Sequence, residues 1–499
     1  MANIVMISLF DRNAYGQRLM SANLKKHGHN CSIIFLKRYL TESSYNLECE
    51  EGEFPWMGIN MQGKVFKYAS NSVISNKELS LLIDLLLKLK PDIIGLTVNT
   101  PLRNQNIKVT ELIKTHFSVP VIWGGFDPTV NPEKCLEYAD FVCVGEGDRT
   151  ILDIAEKIDE KREINDVYNL AYLKNNKIIF NPKSPLEQVI DNYPWRDNSS
   201  ENKYFIEDDA LIENYPEIND KESGIYQTMS ARGCPFKCSY CCESSFKNLY
   251  SGEKFLRRRS PEDMIAELAE AKKQFNLKEI RFDDEIFGMD LKWLKVFEPL
   301  YKKHIDLPFE AFIYPSPDIE EILIVLKNAG LKFCCLALES GSERINKTVF
   351  NRSFNRKLFL NAAKCCNKLG IKYYTDVITY NPYEQEEDLK KSLDVLVDLG
   401  GNFNICVNKL FVLPGTKLAE QMQNDGIDLS DTSRDTLFNY YCRLYWIASS
   451  SYFSRPVIRT LEKIPIFKKY PELINPFIIK AVLSPDRILG KLKKLVLRR

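Results

Sequence analysis

The chain opens on an almost unbroken apolar run at residues 4–9, the pattern of a strand buried on both faces of a parallel sheet. A polar turn at 11–16, an amphipathic helix over 17–27 and a second apolar strand at 31–36 follow. The rhythm repeats as helix 76–89, strand 92–97, helix 104–117, strand 119–123, helix 132–138 and strand 141–144. Strands alternating with helices predict a doubly wound, Rossmann-like α/β sheet, whose ligands sit at the carboxyl ends of the strands. Gly124-Gly125 and Gly145-Glu146-Gly147 stand at two such ends, where the backbone takes positive φ or passes close to something bulky.

Residues 157–224 break the rhythm. Short β-like runs at 168–173 and 177–180 lie among acidic and Asn-rich stretches, and Pro182, Pro185 and Pro194 interrupt any long element, so this stretch reads as a connector. From about Gly224 the alternation resumes. A helix over 261–275, with Ser260 as N-cap and Pro261 at its first position, leads to strand 279–282. Strands at 309–313, 333–338, 373–379 and 403–413 alternate with helices at 318–329, from 342, and at 386–399. About six such units predict a partial (β/α)6 barrel, open on one side, with its chemistry at the carboxyl ends of the strands. An aromatic, helical block at 437–446 either closes that side or packs as plain core. The run 487–499 reads as a basic amphipathic helix packed on the barrel with a solvated cationic face, contact with anionic lipid being the alternative. The expected division is 1–155, a connector at 156–220, the barrel at 221–425 and a helical region at 426–499.

Composition narrows the class. With 44% apolar and 27% charged residues the chain is an ordinary globular one, and its 499 residues have room for two or three domains. A net charge of +1 gives no overall attraction to nucleic acid or to an anionic membrane. The most apolar stretch, 81–98, is interrupted by Asp84, Lys88, Lys90 and Asp92, too many charges for a membrane span. The fourteen cysteines are scattered, and no secretory signal pattern stands at Met1, so they read as reduced thiols of a cytoplasmic protein.

Three of those thiols stand apart, in Cys234-Pro-Phe-Lys-Cys238-Ser-Tyr240-Cys241. Thiolates are soft donors that suit zinc or iron–sulfur clusters. A structural zinc site pairs two ligand pairs, and no second C-x2-C or H-x3-H lies within reach. A cubane iron–sulfur cluster usually takes four cysteines; three hold three corners and leave the fourth iron open.

This loop, preceded by Arg232-Gly233, resembles the radical S-adenosylmethionine (SAM) superfamily. The first domain, through Gly124-Gly-Phe-Asp-Pro-Thr129, Pro132-Glu133, Ala139-Asp140 and Gly145-Glu146-Gly147, resembles the cobalamin-binding domain of a large class within it. The resemblance implies three cofactors: a 4Fe-4S cluster on Cys234, Cys238 and Cys241, SAM on its open iron, and cobalamin. It implies that Tyr240 packs against cluster and SAM, that Glu339 and Ser340 of the Glu339-Ser340-Gly341 turn contact SAM, and that Lys409 lies on the strand facing adenine. It implies that Ser8, Thr97, Gly124, Gly125, Thr129, Gly145 and Glu146 line the corrinoid. Asn13, in Asp11-Arg-Asn13-Ala-Tyr-Gly16, stands where many such domains carry a cobalt-ligating histidine, so cobalt is expected without one. Asp283, Asp284 and Tyr383 fall at the expected substrate mouth and are the candidate catalytic residues; Asp283 and Asp284 as adjacent carboxylates perturb each other's titration.

The implied activity is methylation of an unactivated carbon of a small-molecule, lipid or peptide substrate through a 5′-deoxyadenosyl radical and methylcobalamin, with a flavodoxin or ferredoxin as electron donor. Its competitors are ring closure, rearrangement or oxidation with the same cofactors, a radical SAM enzyme whose cobalamin domain is a relic, and a corrinoid-binding protein without catalysis. Phe312-Ile-Tyr314-Pro-Ser-Pro317 and Tyr380-Asn381-Pro-Tyr383-Glu384 depart from the family pattern at the substrate mouth, so the substrate does not carry over from relatives.

Overall fold

The computed structural model describes residues 1–38, 57–59, 65–67, 73–215, 224–401, 403–450 and 453–474; the closing run 487–499 lies outside them. In chain order the strands are β1 (Asn3–Leu9), β2 (Asn30–Leu36), β3 (Met57–Ile59), β4 (Val65–Lys67), β5 (Ile93–Thr97), β6 (Val121–Gly124) and β7 (Phe141–Cys143). Next come β8 (Leu170–Lys174), β9 (Lys177–Phe180), β10 (Lys203–Glu207), β11 (Ala210–Glu213), β12 (Ile225–Thr228), β13 (Ala231–Arg232) and β14 (Arg257–Arg258). The series ends with β15 (Glu279–Phe282), β16 (Phe309–Ile313), β17 (Leu331–Leu336), β18 (Lys372–Thr379) and β19 (Asn404–Lys409).

The first sheet has the order β11-β10-β2-β1-β5-β6-β7-β8-β9. Its parallel centre, β2-β1-β5-β6-β7, is doubly wound and reverses direction between β1 and β5, the switch point at which such sheets bind ligands. β1 and β2 are buried along nearly their whole length, which is why their sequence is continuous rather than alternating. The stretch 156–220, expected as a connector, contributes four strands: β8 and β9 extend the β7 edge and β10 and β11 the β2 edge.

The second sheet runs β12-β15-β16-β17-β18-β19, all parallel and in chain order, as a six-unit partial barrel. Here the strands alternate, β16 as buried-partial-buried and β18 likewise over eight residues, because one face packs on helices and the other lines the lumen. Arg281, Glu310, Phe312, Tyr374 and Asp376 are luminal by this alternation. A short antiparallel ribbon, β3-β4, joins the free edge of β19, with Gly58 opposite Asn408. The first hundred residues therefore complete the edge of the barrel sheet.

The aromatic block at 437–446 lies in the helix Asp435–Ser449 and is core: Phe438, Tyr440, Tyr441, Leu444 and Tyr445 belong to the barrel's main apolar cluster. Tyr445 Oη donates to the Leu389 carbonyl at 2.8 Å, and the Phe438 ring stacks on Tyr380 at 4.9 Å.

The turn Tyr380–Glu384 lies beneath this helix. Glu384 is 1% exposed, and its Oε2 has no hydrogen-bond partner among the described residues. Burial, reinforced by Asp388, pushes its carboxyl up to about 8. A folded-state value above that of the unfolded chain means that folding takes up a proton across the window from about pH 4.5 to about pH 8, and stability falls as pH rises through it. Glu384→Gln is expected to raise stability by about 1–3 kcal/mol at pH 8 and to change little at pH 4.5. Thermal unfolding at the two pH values checks this; an equal shift at both rules out the buried carboxylate as its source.

Candidate functional site

Cys234, Cys238 and Cys241 lie on the loop between β13 and the helix Cys242–Leu249. Gly233 makes the entry possible: its φ is +85°, and a Cβ there would sit 2.6 Å from the Phe255 carbonyl oxygen. The loop is tied down on all sides. Ser239 N–H donates to Phe350 O at 2.9 Å, Leu418 N–H to Ser239 O at 2.9 Å, and Asn351 Nδ2 to Lys237 O at 2.7 Å. Cys238 is buried, while Cys234 and Cys241 are partly open. Burial pushes the free Cys234 thiol up to about 12, so as free thiols these groups are protonated at neutral pH. Among the described residues no three His, Cys, Asp or Glu side chains converge on a single-ion geometry. Three soft thiols on one rigid loop, close enough to raise one another's titration, supply three corners of a cubane, whereas a structural zinc site needs four donors. Cys242 does not belong to the thiol loop but opens the following helix, because Cys241 is the extended residue before it (φ −99°, ψ 138°) and Glu243 sits favourably in the first turn.

Across the lumen, Glu339 follows β17 with φ +59° and bridges to Val377. Tyr240 Oη donates to Glu339 Oε1 at 3.2 Å, so the loop tyrosine and the strand-end glutamate meet. Burial pushes the Glu339 carboxyl up to about 7, against the pull of Arg352. Ser340 is fully buried and its Oγ accepts from Ser342 N–H at 3.2 Å. Gly341 leaves no room for a side chain, since a Cβ would approach Lys391 O to 2.6 Å. Lys409 ends β19 with its ammonium 5.2 Å from the Tyr380 ring.

The three candidate catalytic residues separate. Asp283 turns into the lumen and accepts from Arg281 Nε at 2.7 Å; burial raises its carboxyl despite Arg281. Asp284 points the other way, 1% exposed, accepting from Ser230 N–H at 2.8 Å and Ser230 Oγ at 2.6 Å. It braces the strand that leads to the cluster loop. Tyr383 Oη donates to Asp425 at 2.6 Å on the outer side. Of the three, Asp283 alone faces the lumen.

At the switch point of the first sheet lies a cavity of about 340 Å³. Ser8, Thr97, Gly124, Gly125 and Gly145 line it, with Gln17, Ile122 and Ile154 deeper. Gln17 Nε2 donates to Ile7 O and to Thr97 Oγ1, both at 2.9 Å, while its buried Oε1 has no hydrogen-bond partner among the described residues. A mostly apolar slot walled by glycines, with one unsatisfied amide oxygen at strand ends, fits a large planar cofactor with an amide-bearing periphery. Thr129 stands behind the wall, donating to Gly125 O at 2.8 Å and accepting from Gly145 N–H at 3.1 Å, so it sets both glycine turns. Asn13 is outside the wall too: its Oδ1 accepts from Arg196 Nη1 at 2.9 Å, and that guanidinium lies 4.3 Å from the Tyr226 ring.

Glu146 faces the barrel rather than the cavity. It receives Arg257, and Arg232 at 3.3 Å, while Arg232 also holds Asp148 bidentately at 2.8 and 3.0 Å. Met229 and Arg232, which lead into the cluster loop, complete the cavity wall. The cavity and the thiol loop therefore share one wall. Sequence reasoning gave no role to Arg232, Asp148, Arg257, Arg352 or Asp376; of these only Asp376 carries a readable signal, a carboxylate at an inward position of the alternating strand Lys372–Thr379.

Comparison with known proteins follows the same division. A model of the B12 binding domain matches residues 18–155, and one of the radical SAM superfamily matches residues 229–396. An uncharacterised methyltransferase of Pyrococcus horikoshii is 26% identical over 341 residues, 67% of this chain and 70% of that protein. Cytidylyl-2-hydroxyethylphosphonate methyltransferase of Streptomyces wedmorensis is 22% identical over 427 residues, 77% and 73% of the two chains. In fold, the chain is similar to the radical SAM methyltransferase TsrM of Kitasatospora setae, with a TM-score of 0.65 at 13% identity over 85% of this chain and 76% of that one. With a thiol loop fit for a cluster and a glycine-walled cavity beside it, the chain belongs to the cobalamin-dependent radical SAM enzymes, whose cofactors are a 4Fe-4S cluster, SAM and cobalamin.

Proposed function

We propose that the protein transfers a methyl group from SAM to an unactivated carbon of a small-molecule, lipid or peptide substrate. The observation that carries this reading is the shared wall: Met229 and Arg232 both line the cavity and lead into the cysteine loop, so a corrinoid in the first domain would face the barrel mouth. When bound, the cofactors supply the electron that cleaves SAM and the carrier for its methyl group. The methyltransferases among the relatives match more of this chain than the ring-closing cyclases do, which favours transfer.

In this reading Cys234, Cys238 and Cys241 hold the cluster. Tyr240, Glu339, Ser340 and Lys409 surround SAM, and Ser8, Thr97, Gly124, Gly125 and Gly145 surround the corrinoid. Thr129, Glu146 and Asn13 act one step back, fixing the turns and the loop that bear those residues. Asp283, paired with Arg281, is a luminal carboxylate at a strand end, where a substrate would sit. The pair orients the substrate and holds or releases a proton at the Asp283 carboxyl, whose affinity for it is raised by burial. With SAM bound, the barrel lumen would shield it from water, and the ribbon β3-β4 extends the free edge of β19. Among the described residues no helix is long and apolar enough to cross a membrane. The reading places the enzyme in the reducing cytoplasm, served by an electron carrier such as flavodoxin or ferredoxin.

The test is anaerobic turnover of reconstituted enzyme with SAM bearing a trideuteromethyl group, followed by mass spectrometry of the nucleosides and of a metabolite extract. Equal amounts of 5′-deoxyadenosine and S-adenosylhomocysteine, with the label in one product, are expected. 5′-Deoxyadenosine without S-adenosylhomocysteine or label would replace methyl transfer by ring closure, rearrangement or oxidation.

A further inference from the structure

We infer that Arg352 is a positioning residue that couples the iron–sulfur cluster to the SAM site, an assignment that rests on the cofactor placement proposed above. Arg352 follows a π-helical turn, Ile345–Val349, and Asn351 in left-handed conformation (φ +47°). Its backbone N–H donates to Asn346 O at 2.8 Å, which turns the side chain inward behind the cysteine loop.

Four groups converge on the guanidinium. Nη1 lies 4.0 Å from Cys238 Sγ, within reach of an N–H···S hydrogen bond, and Nη2 donates to Ala337 O at 3.2 Å, two residues before Glu339. The Tyr314 ring lies 5.8 Å away and limits sideways movement. The charge opposes the burial of Glu339 and favours its ionised form, and Glu339 in turn accepts from Tyr240 of the cysteine loop. One side chain therefore touches a cluster ligand and sets the charge of the carboxylate expected to receive SAM.

The physical consequence has a definite sign. A hydrogen bond and a positive charge at a ligand sulfur stabilise the added electron of the reduced cluster and raise its potential. The same charge keeps Glu339 an acceptor for SAM. Guanidinium does not lose its proton in proteins, so the influence on the cluster is independent of pH. Lys carries the charge but as a single point, and cannot reach Cys238 and Ala337 at once.

The experiment uses reconstituted holoenzyme and two readouts that do not depend on turnover: the cluster midpoint by redox titration with electron paramagnetic resonance, and SAM binding from the change that SAM induces in that spectrum. Arg352→Gln is expected to make reduction about tenfold less favourable, equivalent to about 59 mV lower for one electron, and to weaken SAM binding about tenfold. Arg352→Lys keeps the charge but, held at Cys238, leaves Ala337 O and the strand end that bears Glu339 without their anchor, so it is expected to restore most of the potential and only part of the SAM affinity. Tyr314→Phe, which removes only a hydroxyl bonded to Ser353 O at 2.9 Å, is expected to leave the potential unchanged.

A wild-type midpoint in Arg352→Gln, or an equal fall in Tyr314→Phe, overturns the assignment. If Arg352→Gln loads no iron, Arg352→Lys decides: weakened SAM binding at near-wild-type potential supports the coupling, and wild-type behaviour in both overturns it. A wild-type protein that loads its cluster but never cleaves SAM would defeat the proposed function and still leave these midpoints measurable.

Discussion

Replacing any one of Cys234, Cys238 and Cys241 by Ala is expected to reduce 5′-deoxyadenosine formation to background and to strip the protein of iron and sulfide, whereas Cys242→Ala keeps both. The contrast follows from the loop. The three thiols stand on a rigid segment anchored through Ser239, Asn351 and Leu418, and the neighbouring Cys242 thiol bonds to Cys241 from outside it. Cys242 belongs to the following helix, one residue beyond that segment. With two ligands left, a cubane has two open corners rather than one, and thiolate-ligated clusters are lost when ligation fails. Because Cys238 accepts from Arg352 and is itself buried, its loss also leaves a guanidinium without its sulfur partner. The corrinoid cavity lies in the other sheet, so corrin absorbance of the purified variants should remain. Iron analysis, corrin absorbance and nucleoside mass spectrometry on the four variants check this. A Cys242→Ala variant without iron, or a Cys238→Ala variant that still cleaves SAM, would reassign the ligands.

Much of this architecture is legible in the sequence because burial leaves a pattern. Unbroken runs such as 4–9 and 31–36 give strands covered on both faces, and the alternation over Lys372–Thr379 gives a strand with one face to a lumen. The cysteine spacing is legible because a cluster needs its ligands close along the chain. Pairings at a distance leave no such trace. Nothing at 57–59 announces a partner near residue 408, and β8 to β11 read as a connector because edge strands such as β9 and β11 are half exposed and of mixed polarity. The fates of Asp283 and Asp284 differ because successive residues leave a strand on opposite faces, a choice that depends on the register of β15 against β12. Tyr383 was assigned by its place in a turn, but its hydroxyl is held by Asp425, forty-two residues on.

Arg232→Met is expected to destabilise the protein by about 3–5 kcal/mol and to release the corrinoid, although Arg232 is not one of the glycines or hydroxyls assigned to the corrinoid. Its guanidinium holds Asp148 through two hydrogen bonds and Glu146 through a third, and Asp148 is 8% exposed. Removing the arginine leaves a buried carboxylate without its counter-charge, a larger penalty than the pair's net contribution. It also frees the Gly145-Glu146-Gly147 turn, where Gly145 is packed so tightly that a Cβ would overlap Tyr250 Oη. The pH dependence identifies the cause. Burial pushes the Asp148 carboxyl up, but the Arg232 charge outweighs it and holds the group below its ordinary value. A depressed folded-state value contributes stability that is fully present above the unfolded value and is lost as pH falls through the folded one. The difference between wild type and Arg232→Met should therefore be full at pH 7 and shrink below about pH 4. Asp148→Asn in the Arg232→Met background should recover part of the loss at pH 7, a coupling that a double-mutant cycle by denaturant unfolding measures. If the two losses simply add, or if Arg232→Met keeps its corrinoid through desalting, the ion pairs do not join the cobalamin turn to the cluster loop.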